Sequence, residues 1–201
     1  MSIKTKLLRA LLFCLATSAA AAQIAPLSVV TLSGQQAPGL PIGVTFSAID
    51  FAFGFGYLNN HGQVSFLAFV EGPGITPNND RGIWVGLPGA LSLLAHEGSP
   101  LPAGGAGVIN PTPPALNGAN RIAFRATLAG DGITFANDDV IIAANALGDL
   151  VIAAGEGQVV EIAPGEFRTF TSFGNLTGPG TQDGSSTSWN DDCRLLFRAE
   201  F

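Results

Sequence analysis

The sequence predicts an all-β fold of antiparallel repeat units, about four short strands to a unit, in a partial or truncated propeller-like arrangement. Three observations lead there. One phrase is written twice with the same spacing: Asn117 to Leu128 reads NGANRIAFRATL and Asn190 to Phe201 reads NDDCRLLFRAEF. Within that phrase every second residue is apolar, which is the period of a half-buried strand. Turn formers lie between the apolar runs, and 26 Gly and 13 Pro in 201 residues punctuate short strands rather than long helices.

Taken in order, the first 22 residues stand apart. Lys4, Lys6 and Arg9 precede an apolar run from Ala10 to Ala16, followed by small residues ending Ala20-Ala21-Ala22. That order of charged, apolar and small regions is a secretory signal peptide, so the mature chain is expected to start at or near Gln23 and to be secreted, periplasmic or extracellular. A membrane span would need about 20 predominantly apolar residues, and neither this run nor any later one reaches that length. Cys14 follows Phe13, where a lipid-modification signal wants a small residue, so it reads as part of the hydrophobic region.

The next element is an eight-residue block that occurs three times, at 27–34, 91–98 and 150–157, with the later two sharing Leu-x-Leu/Ile-x-Ala-x-Glu-Gly. A Pro-containing loop follows each block, and then, in the first and third copies, a short segment ending in Phe46 or Phe170. The Asn-to-Phe phrase comes next. Aligning Phe66, Phe124 and Phe197 brings Asn59, Asn117 and Asn190 into one column and Ala68, Ala126 and Ala199 into another. The equivalent strands are expected at 63–70, 121–128 and 194–201. Arg121, Arg125, Arg194 and Arg198 alternate with the apolar set and predict an exposed face, whereas Leu67 and Phe69 in the first copy predict a strand covered on both sides. A further strand is expected at Gly82 to Gly86 and at Asp139 to Ala143.

The domain reading is therefore a signal peptide at 1–22 and one all-β domain at 23–201, with units at 27–86, 91–144 and 150–201. The last unit lacks a fourth strand, so the sequence is expected to be truncated within it and to self-associate through the unpaired edge. Asn at the head of each turn can hydrogen-bond backbone two residues on, and Gly62 predicts a positive φ that Asn120 also tolerates. Asn59, Gly62, Phe66, Asn117, Phe124, Asn190 and Phe197 are accordingly read as repeat scaffold.

These residues resemble a known family, the secreted bacterial tandem-repeat proteins with the NxxGxxAF repeat (choice-of-anchor tandem repeat family). Asn59 to Phe66 matches the phrase except at Ser65, and Asn117 to Phe124 except at Asn120. Ala37-Pro38-Gly39 with Gly43 to Phe46 looks like the family's inter-strand loop. The resemblance implies an extracellular, propeller-like array of unassigned function and brings no catalytic residues with it.

Removal of Lys4, Lys6 and Arg9 takes the formal net charge from −6 to −9. A negative surface without a basic cluster argues against nucleic acid and anionic membranes as partners. Cys193 is the single cysteine after residue 22, so no internal disulfide is expected and stability must come from burial.

Residues that could do chemistry are few. His61 and His96 are far apart, and no spacing announces the Asp or Glu partners of a metal site. There is no Gly-x-Ser-x-Gly elbow, and Cys193 has no His nearby in sequence. Glu97 and Glu156 could be the paired carboxylates of a glycosidase, but they share one repeat column, which favours a strand-end cap. Asn78-Asn79-Asp80, Asn137-Asp138-Asp139 and Asn190-Asp191-Asp192 offer oxygen ligands of the kind calcium takes, yet turn chemistry alone explains them. Asn175-Leu176-Thr177 is a formal glycosylation sequon. Thr181 to Trp189 faintly echoes the Asp-containing turn of sialidase propellers, with a spacing one residue too long.

No catalytic residue, metal or cofactor is assigned on this basis. The preferred reading is a non-catalytic extracellular scaffold whose loops 71–81 and 104–114 meet a glycan, surface or protein. The alternative is a propeller-type hydrolase of extracellular polysaccharide. An enzyme should gather at least two acids and an Arg from different repeats in one cleft, whereas a scaffold should leave them dispersed.

Overall fold

A computed structural model describes residues 28–49, 57–101, 106–144, 149–176, 189–192 and 194–201. The segment 1–22 expected to be a signal peptide, Gln23, Cys193, Thr177 and the stretch from Thr181 to Ser188 lie outside the described residues, and Cys14 with them. The described chain is all β and antiparallel, as its alternation and turn residues predict, with no helix among the described residues.

Two sheets share one topology. In the first, β1 (Thr45–Ile49), β3 (Val64–Glu71), β4 (Arg81–Leu87) and β5 (Ala90–His96) lie side by side in that order, with short β2 (Tyr57–Leu58) also pairing β3. In the second, β6 (Gly107–Ile109), β8 (Ile122–Ala129), β9 (Asp139–Ala144) and β10 (Leu150–Gly155) repeat the order, with β7 (Ala115–Leu116) on β8. A two-stranded ribbon follows, β11 (Val159–Ala163) with β12 (Glu166–Thr169), and then β13 (Ser172–Phe173) pairs β14 (Ala199–Glu200).

The phrase forms the expected strand twice, as β3 and β8. In the third copy only Ala199–Glu200 is a strand, with an isolated bridge between Trp189 and Leu195 in the place of the β2 and β7 pairings. Outside that pair and that bridge, the described residues of the third copy form no strand.

The eight-residue blocks lie elsewhere in the sheets than the sequence implied. Those at 91–98 and 150–157 begin on β5 and β10, which pair with β4 and β9 before them and so close the preceding sheet instead of opening the next unit. The reason is local. Leu87 and Ala90 pair across the two residues Pro88 and Gly89, Gly89 takes φ 80°, and so short a turn can join only antiparallel neighbours. The copy at 27–34 forms no strand over its described residues.

Each block ends in a repeated clamp. The amides of Gly34, Gly98 and Gly157 donate to the carbonyls of Phe46, Val108 and Phe170 at 2.7, 2.8 and 2.9 Å. The amides of those three residues return to Gln35, Ser99 and Gln158 at 3.0 Å each. The three glycines have φ of 79°, 82° and 80°, in the left-handed region where a Cβ is costly. Val108 is thus the second-copy counterpart of Phe46 and Phe170, hidden in sequence because its side chain is not aromatic.

Face-to-face packing builds the core. Phe124, Ala126 and Leu128 on β8 meet Leu67 and Ile83 of the first sheet. The equivalent face of the first sheet, Phe66, Ala68 and Val70 with Trp84, is covered by the N-terminal loop through Ala37, Val44 and Phe46. The Trp84 indole donates to the Pro38 carbonyl at 3.0 Å, which ties that loop down. On its far side the second sheet presents Ala123, Ile141 and Ala154 to Phe170, Phe173 and Trp189, with Phe197 packed against them.

β3 is covered on both faces, as Leu67 predicted. So is β8, against expectation: Ala123 is fully buried and Arg125 is half-buried in an ion pair. The polar residue on that face is neutralised by a partner from the next strand, so the next layer can pack over it.

Candidate functional site

The phrase residues assemble into a ladder rather than a reactive cluster. In each copy the Asn side-chain oxygen accepts the amide four residues on: Gln63 at 3.0 Å, Arg121 at 2.7 Å and Arg194 at 2.8 Å. The Asn59 side-chain amide then donates to the Asn117 carbonyl at 3.2 Å, and that of Asn117 donates to the Asn190 carbonyl at 2.8 Å. Gly62 and Asn120 share the left-handed turn position, with φ 78° and 63°. Gly118 is held by close approach, since its amide donates to Asp191 at 2.7 Å and a Cβ there would meet that carboxylate at 2.8 Å. Phe66 and Phe124 are buried and Phe197 is partly so.

The three Asn/Asp clusters divide into two kinds of turn. Asn79 and Asn137 each accept from the amide three residues back, Thr76 and Thr134, at 2.6 Å, and donate to Gly74 and Gly132 at 3.1 Å. These two turns superpose as a motif. Asn190 instead belongs with Asn59 and Asn117.

A cleft of ≈ 330 Å³ opens between the two sheets. Arg81 on β4 and Arg125 on β8 form its walls, with Asn110, Thr112 and the rings of Pro111 and Pro113 from the segment between β6 and β7, and with Asn175 beyond β13. Parts of the two loops singled out in sequence, 71–81 and 104–114, therefore meet here.

The side chains of the cleft are held by one another. Arg125 forks onto Asp139 through Nε at 2.7 Å and Nη2 at 3.1 Å, and its Nη1 donates to Asn175 Oδ1 at 3.2 Å. Asp139 Oδ2 also accepts the Phe173 amide at 3.0 Å, so the pair joins the second sheet to β13. The Arg125 backbone amide donates to Thr112 Oγ1 at 3.2 Å. Arg81 lies over the Phe69 ring at 5.1 Å, donates to Asn110 Oδ1 at 3.0 Å, and has Asp80 3.9 Å away. A bidentate, partly buried pair of this kind is geometrically rigid.

Glu97 and Glu156 sit at equivalent strand ends. Glu97, 4% exposed, accepts the Asn110 amide at 3.1 Å, and Glu156 accepts the Asp139 amide at 3.4 Å. Asn110 itself takes φ 45°, so the buried carboxylate holds a non-glycine residue in the left-handed region at the edge of the cleft. Each acid caps backbone of its own neighbourhood, and the two are not paired across one cleft. His61 is exposed in its turn and His96 is half-buried on β5.

Sequence reasoning placed Arg125 on an exposed face and Asp139 in a turn cluster, and did not bring the two together at a cleft. Arg125 occupies the column of Leu67, and Asp139 the column of Arg81. A break in a buried column was the available signal. The family model that matches the chain is that of a family of unknown function (DUF7453), over residues 17–201. No curated protein and no solved structure matches.

Proposed function

The chain belongs to the DUF7453 family, and on that premise we propose that it is an exported, non-catalytic repeat protein that binds a ligand in the cleft between its first two sheets. The order of charged, apolar and small residues before Gln23 supports export. The twice-repeated sheet topology, together with the resemblance of its turns to the NxxGxxAF proteins, supports a propeller-like array.

The observation that carries the binding reading is the state of the acids. Asp139 is forked by Arg125 and capped by Phe173, and Glu97 is buried on the Asn110 amide, so both are committed to holding the cleft walls in place. A general acid or nucleophile must reach the substrate, and a side chain spent on its own scaffold does not. Convergent, pre-oriented polar groups in a concave site between two elements are what binding needs.

The test is to purify the secreted chain, confirm by N-terminal sequencing that it starts near Gln23, and incubate it with extracellular polysaccharides. Retention on one of them without release of reducing ends is the expected result. Turnover that is lost in Glu97→Gln or Asp139→Asn would replace this reading by the propeller hydrolase.

A further inference from the structure

We infer that the cleft takes a neutral, polyhydroxylated ligand, an uncharged sugar unit of a glycan, bound chiefly through the side-chain amides of Asn110 and Asn175. This rests on the binding reading above and names its ligand class. Both amide oxygens are already used, that of Asn110 by Arg81 and that of Asn175 by Arg125. Their Nδ2 groups have no partner among the described residues, while both side chains line the cavity. Each guanidinium thus fixes which way its Asn turns and leaves the donor for a ligand.

Charge decides against an anion. The Arg125 charge is matched by Asp139 within the pair, Arg81 has Asp80 at 3.9 Å, and Glu97 lies buried behind Asn110. Glu156 adds a further carboxylate at the Asp139 amide. Carboxylates around the cleft therefore equal or outnumber the two guanidiniums, so a ligand carboxylate would gain little Coulomb energy for its desolvation. Hydroxyl and ring oxygens accept from amide donors at no such cost, and the partly exposed Pro113 and Phe69 supply apolar surface for the C–H face of a sugar ring. The volume of ≈ 330 Å³ is near the lower end of ligand pockets, about 300 to 1,000 Å³, which suits a short stretch of glycan.

Asn110 holds φ 45°, a conformation that Asn tolerates better than most residues, and its backbone amide is fixed there by Glu97, so its side chain is presented to the cleft from a set position.

The experiment is isothermal titration of the whole secreted chain with maltohexaose, cellohexaose, mannohexaose and chitohexaose, and with a polygalacturonate hexamer as the anionic counterpart. At least one neutral hexamer should bind, more tightly than the polygalacturonate and with little dependence on salt. Asn175→Ala, at an exposed residue, and Asn110→Gly, which relieves the backbone, should each weaken binding by about tenfold, the value of one lost hydrogen bond, with the melting midpoint of the free chain unchanged or raised.

Tighter, salt-sensitive binding of polygalacturonate would overturn the neutral-ligand inference and leave the binding reading standing. So would neutral-hexamer binding that survives both substitutions. If none of the hexamers binds to the folded chain, the glycan inference fails. Hydrolysis of a hexamer that binds through Asn110 and Asn175 would instead overturn the non-catalytic reading and keep the ligand class.

Discussion

At the residue scale, Asn117 shows why a short polar phrase recurs in a chain that relies on burial. Its side chain satisfies two backbone groups at once, the Arg121 amide and the Asn190 carbonyl, and the residue is 3% exposed. Truncation leaves both groups unpaired, and each unpaired buried group costs about 1 to 3 kcal/mol. Asn117→Ala should therefore lower stability by about 2 to 3 kcal/mol, and Asn59→Ala, at a more exposed rung, by about 1 kcal/mol. Chemical denaturation of the two variants checks the order, and equal losses would mean that burial does not set the strength of the rung. The Asn and Phe columns were legible in sequence because they repeat. The cleft was not, because Arg125 and its partner Asn175 lie 50 residues apart, and the column that Arg125 shares with Arg198 reads as an exposed position. A side-chain contact between layers leaves no periodic trace.

At the element scale, strands were read correctly wherever alternation is strong and a neighbour exists on each side. β3 and β8 fall within one residue of the spans expected, because Phe66 and Phe124 fix which face meets which layer and a slip of one residue would turn them into the wrong one. What alternation cannot tell is which sheet a strand joins. β5 went to the preceding sheet because a two-residue turn leaves no other choice, and β10 likewise pairs the strand before it. The ribbon β11–β12 is the opposite case. Val159, Ile162 and Phe167 are exposed, and the ribbon pairs only with itself. An exposed apolar side chain has little burial to lose, so Phe167→Ser should shift stability by no more than about 0.5 kcal/mol. A larger loss on thermal melting would show that the ribbon packs against something the fold needs.

At the scale of the whole molecule, the buried side chains of the described residues fall into three clusters, one on each side of the two sheets and one between them, so stability should be distributed along the stack rather than shared by one core. The Arg125–Asp139 pair is the polar joint between the second sheet and β13. Asp139→Asn removes the charge from that joint. Hydrogen exchange should then speed up by about tenfold at Thr171 and Gly174, whose amides pair with β14 and its approach, while Val70 in the first sheet keeps its protection. Uniform acceleration at all three would indicate a single cooperative unit. The clamps at Gly34, Gly98 and Gly157 carry a consequence of their own. Each fastens the two ends of a loop to one another with a pair of backbone hydrogen bonds, so the closure itself uses no side chain from what lies between the ends. The third clamp encloses a hairpin, β11–β12, where the first encloses a loop, with the same pair of bonds. Such a position works as a socket: the same closure accepts different sequences between its ends, provided that those keep the few side chains that pack back, as Ala37, Val44 and Leu101 do, and new surface can be acquired there one loop at a time.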